Sequence, residues 1–148
     1  MNKKILLAAL AIVAAACVFS NAQSKKMAAE LMVNQLLEAK TPQEKGKLLD
    51  PAQFRDTYVA DTYRIVAKNR EAIDKQFCYC YCAMNPKFNH KSLLSCYVDD
   101  HGANCDTCMT QARETAIMTK DGKSPREIAM YFKKKYVKEE GPEGHSHP

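Results

Sequence analysis

Apolar positions recur with helical spacing on both sides of a central segment in which that spacing breaks down. From Lys25 to Ala39 the stripe Ala28, Leu31, Met32, Gln35 and Leu36 follows i, i+3, i+4 in a stretch rich in strong helix formers, and it predicts an amphipathic helix. Thr41-Pro42-Gln43-Glu44 offers an N-cap, a proline at the first helical position and a capping-box glutamate, which predicts a short helix through Leu49; Asp50-Pro51 repeats the start signal. Beyond Pro51, Phe54, Tyr58, Thr62 and Ile65 with Val59, Tyr63 and Val66 sustain a longer helix to about Lys68, and Arg70 to Lys75 adds a turn or two after a break near Asn69.

Helical spacing returns from Asp106 to Lys120, with Cys105, Cys108, Met109, Ala112 and Ala116 along one face and Asp121-Gly122 as the stop. Ser124-Pro125-Arg126-Glu127 is a second capping box, opening a helix to about Lys138 whose Ile128, Phe132 and Tyr136 face inward. Glu139 to Pro148 reads as a frayed tail.

The interruption from Phe77 to Cys105 differs in kind. Cys78-Tyr79-Cys80-Tyr81-Cys82 cannot place three sulfurs on one helical face, whereas extended backbone puts them on one side and Tyr79 and Tyr81 on the other. Along a straight strand neighbouring thiols would stand roughly 7 Å apart, so a curved loop is needed to bring them onto one ion. Asn85-Pro86 marks a turn, Lys87 to Leu94 a connector, Ser95 to Val98 a short strand, and Asp99-Asp100-His101-Gly102 a turn before the next helix. The expected fold class is mainly α: a small helical domain scaffolding an irregular cysteine-rich loop region.

The N-terminus adds a compartment. Met1-Asn2-Lys3-Lys4 is a positive n-region, Ile5 to Phe19 an uncharged apolar stretch, and Ser20-Asn21-Ala22 carries the small residues signal peptidase needs, so residues 1–22 are read as a signal peptide cleaved before Gln23. The rival is a lipoprotein signal, Ala14-Ala15-Ala16-Cys17, which would leave Cys17 lipidated. An uncleaved anchor is disfavoured, because the apolar stretch falls short of the ~20 residues that span a bilayer. Residues 23–50 then form an N-terminal helical extension, 51–138 the cysteine-rich domain and 139–148 a flexible tail. Export, to the periplasm, cell envelope or medium, implies an oxidising setting.

Charge changes the picture little. The formal charge is +5, and removing Lys3 and Lys4 lowers it to +3, too weak a balance to argue for nucleic acid. Lys133-Lys134-Lys135 with Lys138 reads as a solvated helical face. Contact with membrane is expected only through a lipid on Cys17.

Cysteine carries the chemistry. Six of the seven cysteines fall within Cys78 to Cys108, as Cys78, Cys80, Cys82, Cys96, Cys105 and Cys108, and the seventh is Cys17. Cys105-x-x-Cys108 at a helix start points both sulfurs the same way and places them where the helix N-terminus favours thiolate. With the CxCxC upstream this defines a sulfur centre without saying which kind.

These residues resemble a known family. Cys78-Tyr79-Cys80-Tyr81-Cys82, His90-Lys91-Ser92-Leu93, Cys96-Tyr97-Val98, His101 and Cys105-Asp106-Thr107-Cys108, with Tyr63 to Asn69 before and Gly122-Lys123-Ser124 after, are similar to the bacterial exported proteins grouped by a PCYCGC or CYCxC motif. The likeness covers roughly Asp61 to Lys138. It implies export, as a lipoprotein or secreted protein, and a shared cysteine centre; the family's activity is unassigned, so it implies no mechanism. Phe77 stands where the family often has Pro, and Tyr81 where it has Gly, a bulk expected to crowd a tight thiolate loop.

Three chemistries follow. A soft metal ion, Cu(I) or Zn(II), would be held by the six cysteines with His90 and His101 as auxiliary ligands and Met84 and Met109 nearby. Its partners would be the ion itself or a metal-delivering envelope protein, and its role capture, storage or delivery. Thiol-disulfide exchange, with Cys105 attacking and Cys108 resolving, is the second reading. A disulfide-stabilised interaction module is the third, with three bridges of roughly 2 to 4 kcal/mol each. His90 and His101 also suit surface or turn-capping roles, Met84 and Met109 core packing, Asp99 and Asp100 turn roles or a partner for His101, and His145 and His147 a disordered pair. A CxxCH haem attachment, phosphate loop, dinucleotide fingerprint, nucleophile-elbow serine and HExxH are all missing, so no hydrolase or transferase is expected.

Overall fold

The computed structural model describes residues 23–137. The signal-peptide reading, Cys17, Lys138 and the tail with its histidines lie outside them. The fold is mainly helical, with no strand among the described residues, and no described helix is long and apolar enough to cross a membrane.

Residues 23–38 form helix α1, close to the predicted span. Its buried stripe is shifted, however: Ala29 and Leu36 are buried, whereas Ala28 and Leu31 are exposed. The compact unit that carries the cysteines begins at Met32.

The helix expected from Thr41 to Leu49 is absent, and residues 39–50 run as irregular chain. Tertiary partners take the groups a capping box would have used. Asp74 accepts from the backbone N–H of Gln43 (2.7 Å) and Glu44 (3.1 Å), and the Glu44 carboxylate accepts from Gly46 N–H and the Ser95 hydroxyl, both at 2.6 Å. Arg70 donates to the carbonyls of Glu44 and Gly46, and Leu49 N–H to Tyr97 O. A chain already bonded to two other segments cannot also make the i to i−4 bonds of a helix.

Asp50 caps only a short 3-10 turn, Pro51–Gln53; Asp56 is the N-cap of helix α2, Thr57–Lys68, accepting from Tyr58 and Val59 N–H. Helix α3, Arg70–Asp74, follows the break at Asn69. Helix α4, Asp106–Lys120, ends with Gly122 in the left-handed region (φ 77°), as its stop signal required. Ser124 and Glu127 form the expected capping box of helix α5, Pro125–Tyr136. There Ile128, Ala129 and Phe132 are buried, and the half-buried Tyr136 stacks on Tyr79.

Between α3 and α4 the chain winds through 3-10 turns at Cys82–Met84, Leu93–Tyr97 and Gly102–Asn104. The strand expected at Ser95 to Val98 is part of the second turn, capped by Ser92. Leu93 to Tyr97 are all buried, so the stretch lacks the one-in, one-out alternation of a half-exposed strand. These turns, α2, α3 and α4 enclose one core that Tyr63, Val66, Ile73, Leu94 and Tyr97 share with Cys78, Cys82, Cys96, Cys105 and Cys108.

Candidate metal centre

All six cysteines gather in that core, in overlapping groups that share Cys80. Cys78, Cys82, Cys96, Cys105 and Cys108 are buried and Cys80 is half-buried; none is in a disulfide. The CxCxC segment is the curved loop its spacing demanded. Tyr81 N–H bonds back to Cys78 O and closes a tight turn in which Cys78 and Cys80 Sγ approach to 3.3 Å instead of the strand spacing, and Tyr81, at φ 61°, redirects the chain from Cys80 into Cys82. The rings of Tyr79 and Tyr81 turn away from the sulfurs to pack on Phe77, at centroid distances of 5.1 and 5.6 Å. Tyr81 therefore does not crowd the thiolate loop. Its demand is on backbone handedness, which a glycine meets without cost.

Helix α4 supplies the next two sulfurs. Cys105 is its N-cap residue and Cys108 lies in its first turn, with Cys108 Sγ 3.4 Å from Cys78 and 3.6 Å from Cys80. The 3-10 turn at Leu93–Tyr97 delivers Cys96, whose Sγ is 3.5 Å from Cys82. Two imidazoles close the set. His90 Nδ1 is 3.1 Å from Cys82 Sγ and 3.4 Å from Cys96 Sγ, and His101 Nε2 is 3.5 Å from Cys80 Sγ. The ring of Phe88 lies against both, 5.4 Å from His90 and 4.6 Å from His101.

Asp99 has the expected turn role, its Oδ1 accepting from the His101 backbone N–H, and a further one: Oδ2 stands 3.5 Å from the Nε2 of His90, so the carboxylate also orients the His90 ring. That contact leaves His90 Nδ1 facing sulfur, as second-layer carboxylates do for metal-ligating histidines. Of the two methionines, Met109 is buried and Met84 half-buried.

Three positioning residues were not anticipated. Gln111, buried one turn beyond Cys108, accepts from Tyr79 N–H and donates to Phe77 O. Tyr97 donates its hydroxyl to Cys108 O at 2.7 Å. Asp74 accepts from Ser92 Oγ at 2.6 Å, fixing the cap of the turn that carries Cys96. Gln111 left a trace, a polar side chain on an otherwise apolar stripe with Cys108, Ala112 and Thr115. Gly102 also has a packing reason: a Cβ there would meet Cys96 O at 2.7 Å and the Tyr97 ring at 2.8 Å.

The charges within the cluster are unequal. Contacts from Cys105, then Cys108, Cys78 and Cys82, hold the Cys80 thiol below the ordinary cysteine range. Burial, with contacts from Cys108 and Cys80, pushes Cys78 well up, and contacts from Cys108, Cys78 and Cys80 push up Cys96. The sulfurs of Cys80 and Cys82 raise His101 to about 10. Burial pulls His90 down, but Cys82 and Asp99 outweigh it and the net shift is upward. The directions agree with the physics of burial, since several unpaired buried thiolates would be far costlier than one surrounded by thiol and imidazole donors.

Soft donors at these spacings suit a soft cation. Three sets of four lie within 4.8 Å of one another: Cys78, Cys80, Cys96 and Cys108; Cys80, His101, Cys105 and Cys108; and Cys80, Cys82, Cys96 and His101. Sulfurs at the corners of a zinc tetrahedron stand about 3.8 Å apart. The observed 3.3 to 3.6 Å separations fall a little inside that edge, and far outside the ~2.05 Å of a disulfide bond.

Fold and site together define a small helical domain built around a buried cysteine cluster that could hold a metal. The chain belongs to the family described as protein of unknown function with PCYCGC motif, whose sequence model matches residues 6–148. The match extends well beyond the Asp61 to Lys138 likeness, taking in α1 and the irregular segment after it. No curated protein and no solved structure matches the chain.

Proposed function

We propose that this protein is exported and binds a soft metal ion, Cu(I) or Zn(II), through its clustered thiolates, for capture, storage or delivery in the cell envelope. One observation carries the reading: the sulfurs converge rather than pair. Cys78, Cys80 and Cys108 stand 3.3 to 3.6 Å from one another in all three combinations, so each has two equivalent neighbours where a disulfide set would give it one. The candidate ligands are Cys78, Cys80, Cys82, Cys96, Cys105 and Cys108, with His90 and His101. Export rests on the N-terminal sequence pattern, and the delivering or receiving partner would be a metal-carrying envelope protein.

The test is to isolate the protein from its native compartment without chelator and to measure Cu, Zn and free thiols on one sample. Near-stoichiometric metal, with thiols that react only after denaturation and chelation, is expected. Absence of both metal and free thiols would overturn the reading in favour of a disulfide-stabilised module.

A second reading has one observation in its favour. Cys80 is the half-buried cysteine, its sulfur beside the His101 ring and its pKa pushed down by the neighbouring thiols, which is the setting of a nucleophilic thiol. In thiol-disulfide exchange Cys80, rather than the buried Cys105, would attack, and the expected signature is one pair with a potential above roughly −300 mV.

A further inference from the structure

Resting on the metal reading, we propose that the cluster is two three-donor sites that share no ligand, so that each chain takes two Cu(I) ions. The first site is the all-sulfur triangle of Cys78, Cys80 and Cys108, with sides of 3.3, 3.4 and 3.6 Å. The second is Cys82 and Cys96 with His90 Nδ1, with sides of 3.5, 3.1 and 3.4 Å.

The size of each triangle fits three-coordination. The centre of a triangle with such sides lies about 2 Å from each corner, a few tenths short of a ~2.3 Å metal–thiolate bond, so an ion seats at or just above the plane with a small outward movement of sulfur. Zinc asks for four donors, and the three four-donor sets available all contain Cys80, so no two of them can be filled without sharing that sulfur. The two triangles avoid the conflict. Cu(I), a soft d10 ion content with three thiolate or imidazole donors, is the cation that uses both.

The surroundings of His90 supply an independent reason for the second site. The imidazole is buried, its Nε2 faces the Asp99 carboxylate, and its Nδ1 faces only sulfur. A histidine that served merely as a turn cap would direct its ring nitrogens to backbone groups, whereas this one is aimed by a carboxylate at two thiols. Cys105 and His101 fall outside both triangles, on the side of the half-buried Cys80.

The experiment is anaerobic titration of the reduced full chain with Cu(I) against a chromophoric Cu(I) chelator, followed by copper X-ray absorption on the saturated protein. Two equivalents are expected, with an average of five sulfur donors to one nitrogen across the two ions. His90→Ala should bind one equivalent with sulfur-only coordination, and Cys108→Ser one equivalent with sulfur and nitrogen. A wild-type stoichiometry of one or of four, or sulfur-only coordination in wild type, overturns the two-site division even if the variants do not fold. Failure of wild type to bind Cu(I) or Zn(II) at all overturns the parent reading instead. Retention of two equivalents by folded His90→Ala removes the second site alone.

Discussion

Gln111 holds Tyr79 as a neighbouring strand would: Oε1 accepts the Tyr79 N–H at 2.8 Å, and Nε2 donates to the Phe77 carbonyl at 3.1 Å. One side chain on α4 thus fixes the backbone on both sides of Cys78, and it does so from one turn beyond Cys108. The first all-sulfur pair is registered by this amide rather than by the sulfurs themselves. Gln111→Leu keeps the bulk but strands a buried N–H and a buried carbonyl, a loss of about 1–3 kcal/mol for each group left unpaired. The expected result is a lower unfolding midpoint for the metal-free protein and weaker metal binding; an unchanged affinity would show that Gln111 supports the fold alone.

Tyr81 predicts an unusual order of substitutions. Its φ of 61° lies where L side chains are strained by roughly 1–2 kcal/mol, and β-branched ones most. The family motif has glycine here, which the geometry explains. Tyr81→Gly should therefore retain metal binding, with relief of strain offset by loss of the ring contacts to Phe77 and Tyr79. Tyr81→Val should lose binding, because the left-handed step that turns the chain from Cys80 into Cys82 cannot form cheaply. Metal content of the two purified variants decides it, and equal retention would remove handedness as the constraint.

What could be read in advance follows from how local each signal is. Helices α4 and α5 were legible because their caps, periodic faces and stops lie within the elements themselves, and the sulfur centre was legible from cysteine density. Thr41 to Glu44 carries an equally good local start signal, yet Asp74 and Ser95 claim its polar groups from thirty to fifty residues away. No window of sequence contains that competition. Leu93 to Tyr97 was misread as partly strand because a fully buried run has no polar face to set a period. The turn role of Asp99 was legible, but the reach of its second oxygen to His90 depended on a turn geometry that spacing does not specify.

Asp74 ties these distant pieces together. Its two oxygens receive Gln43 N–H, Glu44 N–H and the Ser92 hydroxyl, and Ser92 in turn caps the turn that presents Cys96. Asp74→Ala leaves three donors without a partner in a site that is almost wholly buried, so a loss of about 2–4 kcal/mol is expected, larger than for an ordinary surface carboxylate. Chemical denaturation measures the loss. Because the damage reaches Cys96, the accessibility of that thiol to an alkylating reagent in the metal-free protein should also rise. Protection unchanged from wild type would mean that the turn holds Cys96 without this network.

His101 gives the cluster a dependence on pH whose sign can be worked out. Cys80 and Cys82 raise its pKa to about 10, against an ordinary value of ~6.5, because the protonated ring is stabilised by the neighbouring thiolate. At pH 8 the metal-free protein therefore carries a proton on His101. A cation bound to Cys80 cancels the thiolate charge, and the pKa falls back below 8 whether or not the ring itself becomes a ligand. Metal binding at pH 8 should release about one proton more from wild type than from His101→Gln, measured by calorimetry in buffers of different ionisation enthalpy. Cys80→Ser removes the same charge without metal, so the His101 ring should titrate near 10 in the metal-free wild type and several units lower in that variant, followed by NMR. A ring that titrates near 6.5 in both would show that Cys80 is not the anion of the cluster, and would remove with it the reason to regard Cys80 as the attacking thiol in an exchange reaction.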